Sequence, residues 1–174
     1  MEDQNKPFSQ NEEKELHRVF NKMANFAVKK KIYEKLQPMK DHRDKILAHR
    51  NSPDTVIVFD ENQNQMQEDE IGPEYNRLKT EIAVLEKEIN TLNKDPNRKI
   101  RPVDLNECLK TLGKNCSRKE IDDMIWEVDE NLDGTVEWDE FLLTYQRNLV
   151  DVTGLEPCQL FNVVQFLLYD KDGR

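Results

Sequence analysis

Between Asp129 and Glu140 the chain reads DENLDGTVEWDE. Oxygen-bearing side chains recur there at every second residue, with Asp129, Asn131 and Asp133 at positions 1, 3 and 5 of a twelve-residue turn. Glu137 follows at position 9 and Glu140 at position 12. A hard cation such as calcium takes about 6–8 oxygens at about 2.3–2.6 Å, and this spacing wraps them round one point. Gly134 stands at position 6, where the chain must turn sharply through angles that disfavour a Cβ. Thr135 offers its main-chain carbonyl, Glu137 binds directly or through water, and Glu140 is long enough to bind through both oxygens. The expected ligands of one Ca2+ are therefore Asp129, Asn131, Asp133, Thr135, Glu137 and Glu140, with Mg2+ as a competitor.

The flanks of this loop are helical. Ser117-Arg118-Lys119-Glu120 is a capping box. Ile121, Met124, Ile125 and Val128 form one face of the helix leading in. Phe141, Leu142 and Tyr145 form the face leading out. Val136, at position 8, has the β-branched character of a short bridge between paired loops.

These residues resemble an EF-hand, and residues 93–148 look like a pair of EF-hands of the calmodulin superfamily. The resemblance implies a partner loop at 93–104, NKDPNRKIRPVD, with Ile100 opposite Val136. Its liganding positions are damaged. Asn93 and Asn97 replace carboxylates, Arg98 stands at the glycine position, Arg101 holds position 9, and Asp104 is shorter than glutamate. The expectation is a structural hand without calcium, its incoming helix supplied by the residues just before 93. A third hand begins with an apolar helix at 157–169, followed by Asp170-Lys171-Asp172-Gly173-Arg174, the start of another loop. Such a helix needs cover, expected from a longer natural chain rather than from a partner.

The rest of the chain is read as support for this pair. Ser9-Gln10-Asn11-Glu12 is another capping box, followed by Leu16, Val19, Phe20, Met23, Phe26 and Ala27 at helical spacing. This predicts a helix to about Leu36, stopped by Pro38, and a second short one over 39–49. The basic stretch 16–36 is read as a surface helix or a partner anchor, with folding back onto the acidic hand pair as the variant. Residues 55–59 read as a short strand or pinned extended segment, and 60–72 as an acidic linker. From Pro73 a helix begins, with Tyr75, Leu78, Ile82, Leu85, Ile89 and Leu92 at heptad spacing. Glu81 and Glu86 would face each other in a parallel homodimer, so pairing of two copies through 75–92 is disfavoured. The expected segments are a basic helical 1–50, an extended stretch and linker at 51–73, the EF-hand pair at 74–148, and an incomplete third hand at 149–174. The fold class expected is all-α, an EF-hand pair with a short inter-loop β-bridge behind an extended helical N-terminal segment.

Composition agrees. Of 174 residues 36% are hydrophobic and 35% charged, a core-poor balance that permits one modest core and some exposed helical faces. Residues 1–50 carry 12 Lys/Arg against 8 Asp/Glu, and 51–174 carry 14 against 27. The acidic part repels nucleic acid and anionic lipid. No apolar run spans a membrane, and Cys108, Cys116 and Cys158 fit a reduced compartment rather than a disulfide scaffold. No phosphate-binding glycine loop, nucleophile elbow or zinc-protease motif occurs, so no enzyme is expected. His17, His42 and His49 are expected in solvent. With only Met124 among the methionines inside the pair, a promiscuous Met-rich groove is disfavoured. The expected function is a calcium-binding adaptor or regulatory subunit on a dedicated protein partner. The alternative is a structural component of a larger cytoskeletal or axonemal assembly in which calcium only stabilises. The expected setting is cytoplasmic, with cytoskeletal or ciliary association.

Overall fold

The computed structural model describes residues 8–53 and 56–170. Among these the regular structure is helical: α1 (Gln10–Met23), α2 (Phe26–Asn51), α3 (Glu68–Lys94), α4 (Pro102–Thr111), α5 (Arg118–Trp126), α6 (Trp138–Val150) and α7 (Gln159–Tyr169). The chain divides into two compact units, one built from residues up to Val28 together with those from Asn93 onward, the other from Lys29–Leu92. The all-α expectation holds, and so does the inter-loop bridge: Ile100 and Val136 pair antiparallel, each N–H bonding the other's carbonyl at 2.9 Å.

In the first unit, α1 and α5 are built alike. Each opens on a Ser-x-x-Glu box in which the serine hydroxyl accepts the N–H of the third helical residue and the glutamate takes the serine N–H. Each then buries an apolar row at the same intervals: Leu16, Val19, Phe20 and Met23 in α1, and Ile121, Met124, Ile125 and Val128 in and after α5. A 3-1-3 interval places such residues on one helical stripe. The stripes meet Leu105, Cys108 and Leu109 of α4, Phe141 and Tyr145 of α6, and Leu160, Val163, Val164 and Leu167 of α7 in one core. The apolar helix α7 is covered within the chain by α1, α5 and α6.

The second unit is a helical hairpin. Ile32, Leu36 and Ile46 of α2 share a core with Ile71, Leu78, Ile82 and Ile89 of α3 and with Val58 from the connection. The heptad stripe is thus buried against α2 inside this unit. Lys40 pairs with Glu86 at 2.7 Å, and the Arg50 guanidinium lies 4.5 Å from the centre of the Tyr75 ring, so α3 returns alongside α2. The connection turns at Asp60, whose carboxylate accepts the N–H groups of Asn62 and Asn64 at 2.9 and 2.7 Å. Residues 56–58 belong to no regular element, and Phe59 makes one antiparallel bridge, to Gln65. Thr55, part of the expected extended segment, lies outside the described residues, as do residues 171–174 of the expected third loop.

Two helix boundaries differ from expectation. Pro38 does not stop α2, which runs through it to Asn51. Pro38 and Glu34, whose carbonyl loses its helical donor to the proline, are both exposed, so water can satisfy that oxygen. Burial of Ile32, Leu36 and Ile46 on one side carries the helix across the defect. The break comes earlier, at Ala24 and at Asn25, whose φ is +55°, a region asparagine tolerates better than most residues. Similarly α3 starts at Glu68 rather than Pro73, with the Gln67 N–H capped by the Glu70 carboxylate at 2.8 Å.

The histidines are also packed rather than solvated. His17 stacks on Trp138 with ring centres 3.5 Å apart. His42 is half-buried, its Nε2 4.0 Å from Glu74. His49 is buried, its Nδ1 against the Val56 carbonyl and its Nε2 2.8 Å from Glu68.

Candidate functional site

The loop between α5 and α6 carries the predicted ligands in order. Gly134 has φ +79° and open space where a Cβ would sit, so its requirement is conformational rather than steric. Leu132 before it also takes a positive φ, +61°, which completes the tight turn. Asp129, at the exit of α5, accepts the N–H of Asp133 at 3.1 Å and of Gly134 at 2.7 Å. Asn131 accepts the Asp133 N–H at 2.9 Å. Glu140, in the first turn of α6, accepts the N–H of Glu130 at 3.0 Å and of Asn131 at 3.1 Å on one oxygen, and that of Glu137 at 2.9 Å on the other. Asp129 and Glu140 are buried, so these bonds replace water at both carboxylates.

The structure brings the oxygens of Asp129, Asn131, Asp133, Glu137 and Glu140 round one short turn beside the Thr135 main chain. It does not draw them onto a common centre. Among the described residues no group of three or more His, Cys, Asp or Glu side chains converges as a metal cluster. Asp129 and Glu140 are engaged with loop amides, whereas Asp133 and Glu137 are engaged with a lysine. Lys99 Nζ lies 2.6 Å from Asp133 Oδ2 and 2.6 Å from Glu137 Oε1. The bonds to Asp133 and Glu137 hold the Lys99 ammonium well above its ordinary range. Lys99 and the Thr135 hydroxyl in turn hold the Asp133 carboxyl below its own. The candidate donor set is all oxygen and rich in carboxylates, which suits a hard divalent cation and not a soft one.

The companion loop at 93–104 is closed by its own side chains. Asp104, at position 12, is completely buried. It takes the Arg101 Nε at 2.9 Å, the Arg101 Nη2 at 3.3 Å and the Arg101 N–H at 3.1 Å. The Asp104 bond holds the Arg101 guanidinium above its usual range. Arg98, at the glycine position, donates to Asn21 Oδ1 and to the Asp95 carbonyl, with its guanidinium 5.6 Å from the Phe20 ring centre. Its charge is thereby tied to α1.

The helix leading into this first hand is not the one the spacing suggests. The heptad face of α3 is spent on the hairpin core, and α1 takes the place beside α4 and α6. Phe20 of α1 meets Phe141 and Trp138 edge-on, with ring centres 5.3 and 5.5 Å apart. In the second loop, the position-12 carboxylate takes N–H groups from the start of its own loop. In the first, Asp104 Oδ1 takes the Ala27 N–H at 2.9 Å, and the Lys99 carbonyl takes the Asn25 N–H at 3.3 Å. Residues 25–27 therefore stand where the first loop begins, and residues 29–92 are inserted before it resumes at Asn93. The repeated box and 3-1-3 stripe in α1 and α5 were the signal that could have shown this from sequence.

Residues 96–148 match the family described as an EF-hand domain pair. The chain is similar to a probable calcium-binding protein, CML13, of Oryza sativa subsp. japonica, at 38% identity over 63 residues, 36% of this chain and 37% of that protein. It is also similar to troponin C of Tachypleus tridentatus, at 30% identity over 96 residues, 55% of this chain and 62% of that protein. The chain thus spans between about a third and three fifths of the length of these curated relatives. Over residues 96–148, then, the chain is similar to EF-hand domain pairs, in accord with the helix-loop-helix order α4 to α6.

Proposed function

We propose that the protein is a calcium-binding, non-catalytic regulatory subunit that takes one Ca2+ at 129–140 and docks on a dedicated protein partner. The observation that carries the reading is the second loop itself. Gly134 at φ +79°, the Ile100–Val136 bridge and six oxygen donors in order build the frame a calcium ion needs, whereas the first loop spends its one buried carboxylate on Arg101. Asp129, Asn131, Asp133, Glu137 and Glu140 would supply side-chain oxygens and Thr135 its carbonyl, and Mg2+ would compete through the same groups. The named relatives, a probable calcium-binding protein and a troponin C, point the same way.

Docking on one partner, rather than on many, is supported by the cover on the pair. Helix α7 already packs on its apolar face, against α1, α5 and α6, which leaves no open Met-rich groove among the described residues. Val152, Leu155 and Tyr169 are instead each more than four-fifths exposed, apolar side chains that a partner could cover. A cytoskeletal or ciliary assembly suits such a subunit.

A calcium titration followed by tryptophan fluorescence tests the proposal. Trp138 sits directly after Glu137 and reports the loop, whereas Trp126 is 72% exposed. The expected result is one-site saturation with no cooperativity, weakened strongly in Glu140→Gln. Identical titrations of the two proteins overturn the assignment.

A further inference from the structure

We propose that Lys99 is a built-in competitor for the calcium site: its ammonium group holds Asp133 and Glu137 together and must withdraw before a divalent ion can take them. This rests on the calcium reading of the 129–140 loop and adds to it a residue from the other hand that sets the affinity.

The geometry is specific. Lys99 comes from position 7 of the first loop, one residue before Ile100. The two hydrogen bonds between Ile100 and Val136, each 2.9 Å, fix its main chain against the second loop, and its own carbonyl is held by the Asn25 N–H. From there Nζ reaches one oxygen of position 5 and one of position 9, both at 2.6 Å. Lys99 and Asp133 side chains are about one-third exposed, and that of Glu137 is 43% exposed, so the ammonium is partly desolvated between two carboxylates on a fixed stem. The nearby Arg101 guanidinium is occupied by Asp104.

A divalent ion needs the same two carboxylates. The apparent affinity is then the intrinsic one multiplied by the fraction of molecules in which Lys99 is withdrawn. A cation in contact with two of the loop's carboxylates also repels an incoming one. Both effects act in one direction, and the first hand, which binds no ion by this reading, still controls the second. The residue does so without touching the ion: it is a positioning residue acting through Asp133 and Glu137.

The test is calorimetric calcium titration of the full chain and of Lys99→Met, which keeps an unbranched stem of nearly the same length and removes the ammonium group with its charge. The expected result is one site in each protein and about tenfold tighter binding in the variant, the order set by two charge-assisted contacts that no longer have to break. Equal or weaker binding in Lys99→Met overturns the proposal. A second readout is the side-chain 15N resonance of Lys99 in the wild-type protein. It should shift on calcium addition as the ammonium leaves the carboxylates for water, and an unchanged resonance at saturation overturns the proposal too. Absence of binding heat in both proteins would instead remove the calcium reading of the loop itself.

Discussion

Replacing Phe20 by alanine tests whether α1 is the first helix of the EF-hand pair or an attached arm. The side chain is fully buried and meets the rings of Phe141 and Trp138 edge-on. A buried Phe→Ala change costs about 3–5 kcal/mol from lost transfer energy and the cavity left behind. The two edge-to-face contacts place Phe20 towards the upper part of that range, so about 4 kcal/mol is expected. With a urea slope of about 1–3 kcal/mol/M for a small protein, the midpoint should fall by about 2 M. Both tryptophans lie in the unit built from the N-terminal residues and those from Asn93 onward, so their fluorescence follows the unfolding of that unit alone. Val84→Ala, on an exposed face of α3 in the other unit, is the control and should leave the transition in place. A loss below about 1 kcal/mol for Phe20→Ala would refute the assignment of α1 to the hand, because a buried aromatic in a true core cannot be removed so cheaply.

Asp104→Ala should destabilise the same unit by about 2–3 kcal/mol, since it strips Arg101 and the Ala27 N–H of a buried acceptor, and it should leave the calcium stoichiometry of the protein unchanged. His49 is held above its ordinary pKa by the Val56 carbonyl and by Glu68, so the stability it contributes is present in full below the unfolded histidine pKa of about 6.5 and is lost as pH rises through the higher folded value. Amide exchange at Ile46 and Ile82 should therefore quicken from pH 6 to pH 8 by more than the intrinsic chemical rate, and His49→Gln should remove that excess.

The loop was legible because its information is local. Twelve consecutive residues carry the candidate donors, the turn glycine and the bridging valine, and the flanking stripes at 121–128 and 141–145 follow from helical spacing alone. The boxes at Ser9 and Ser117 form as read, since their partners lie three residues away. What escaped depends on distance. Ala27 meets Asp104 across 77 residues, and no spacing rule links them. Pro38 carries a strong local stop signal, overridden by a face that is buried on both sides of it. The heptad of α3 announced a buried stripe correctly but could not say against what; α2 supplies the answer through Ile32, Leu36 and Ile46. Lys99 gave no signal, because a lysine at position 7 of a damaged loop looks idle until the bridge sets it opposite Asp133 and Glu137.

The central claim is tested most directly by equilibrium dialysis of the full chain against radiolabelled calcium, beside Glu140→Gln. One bound ion per chain, with occupancy sharply reduced in the variant at the same free calcium, is the predicted result. A chain that retains no ion at saturating calcium, or two proteins that retain the same amount, would contradict it.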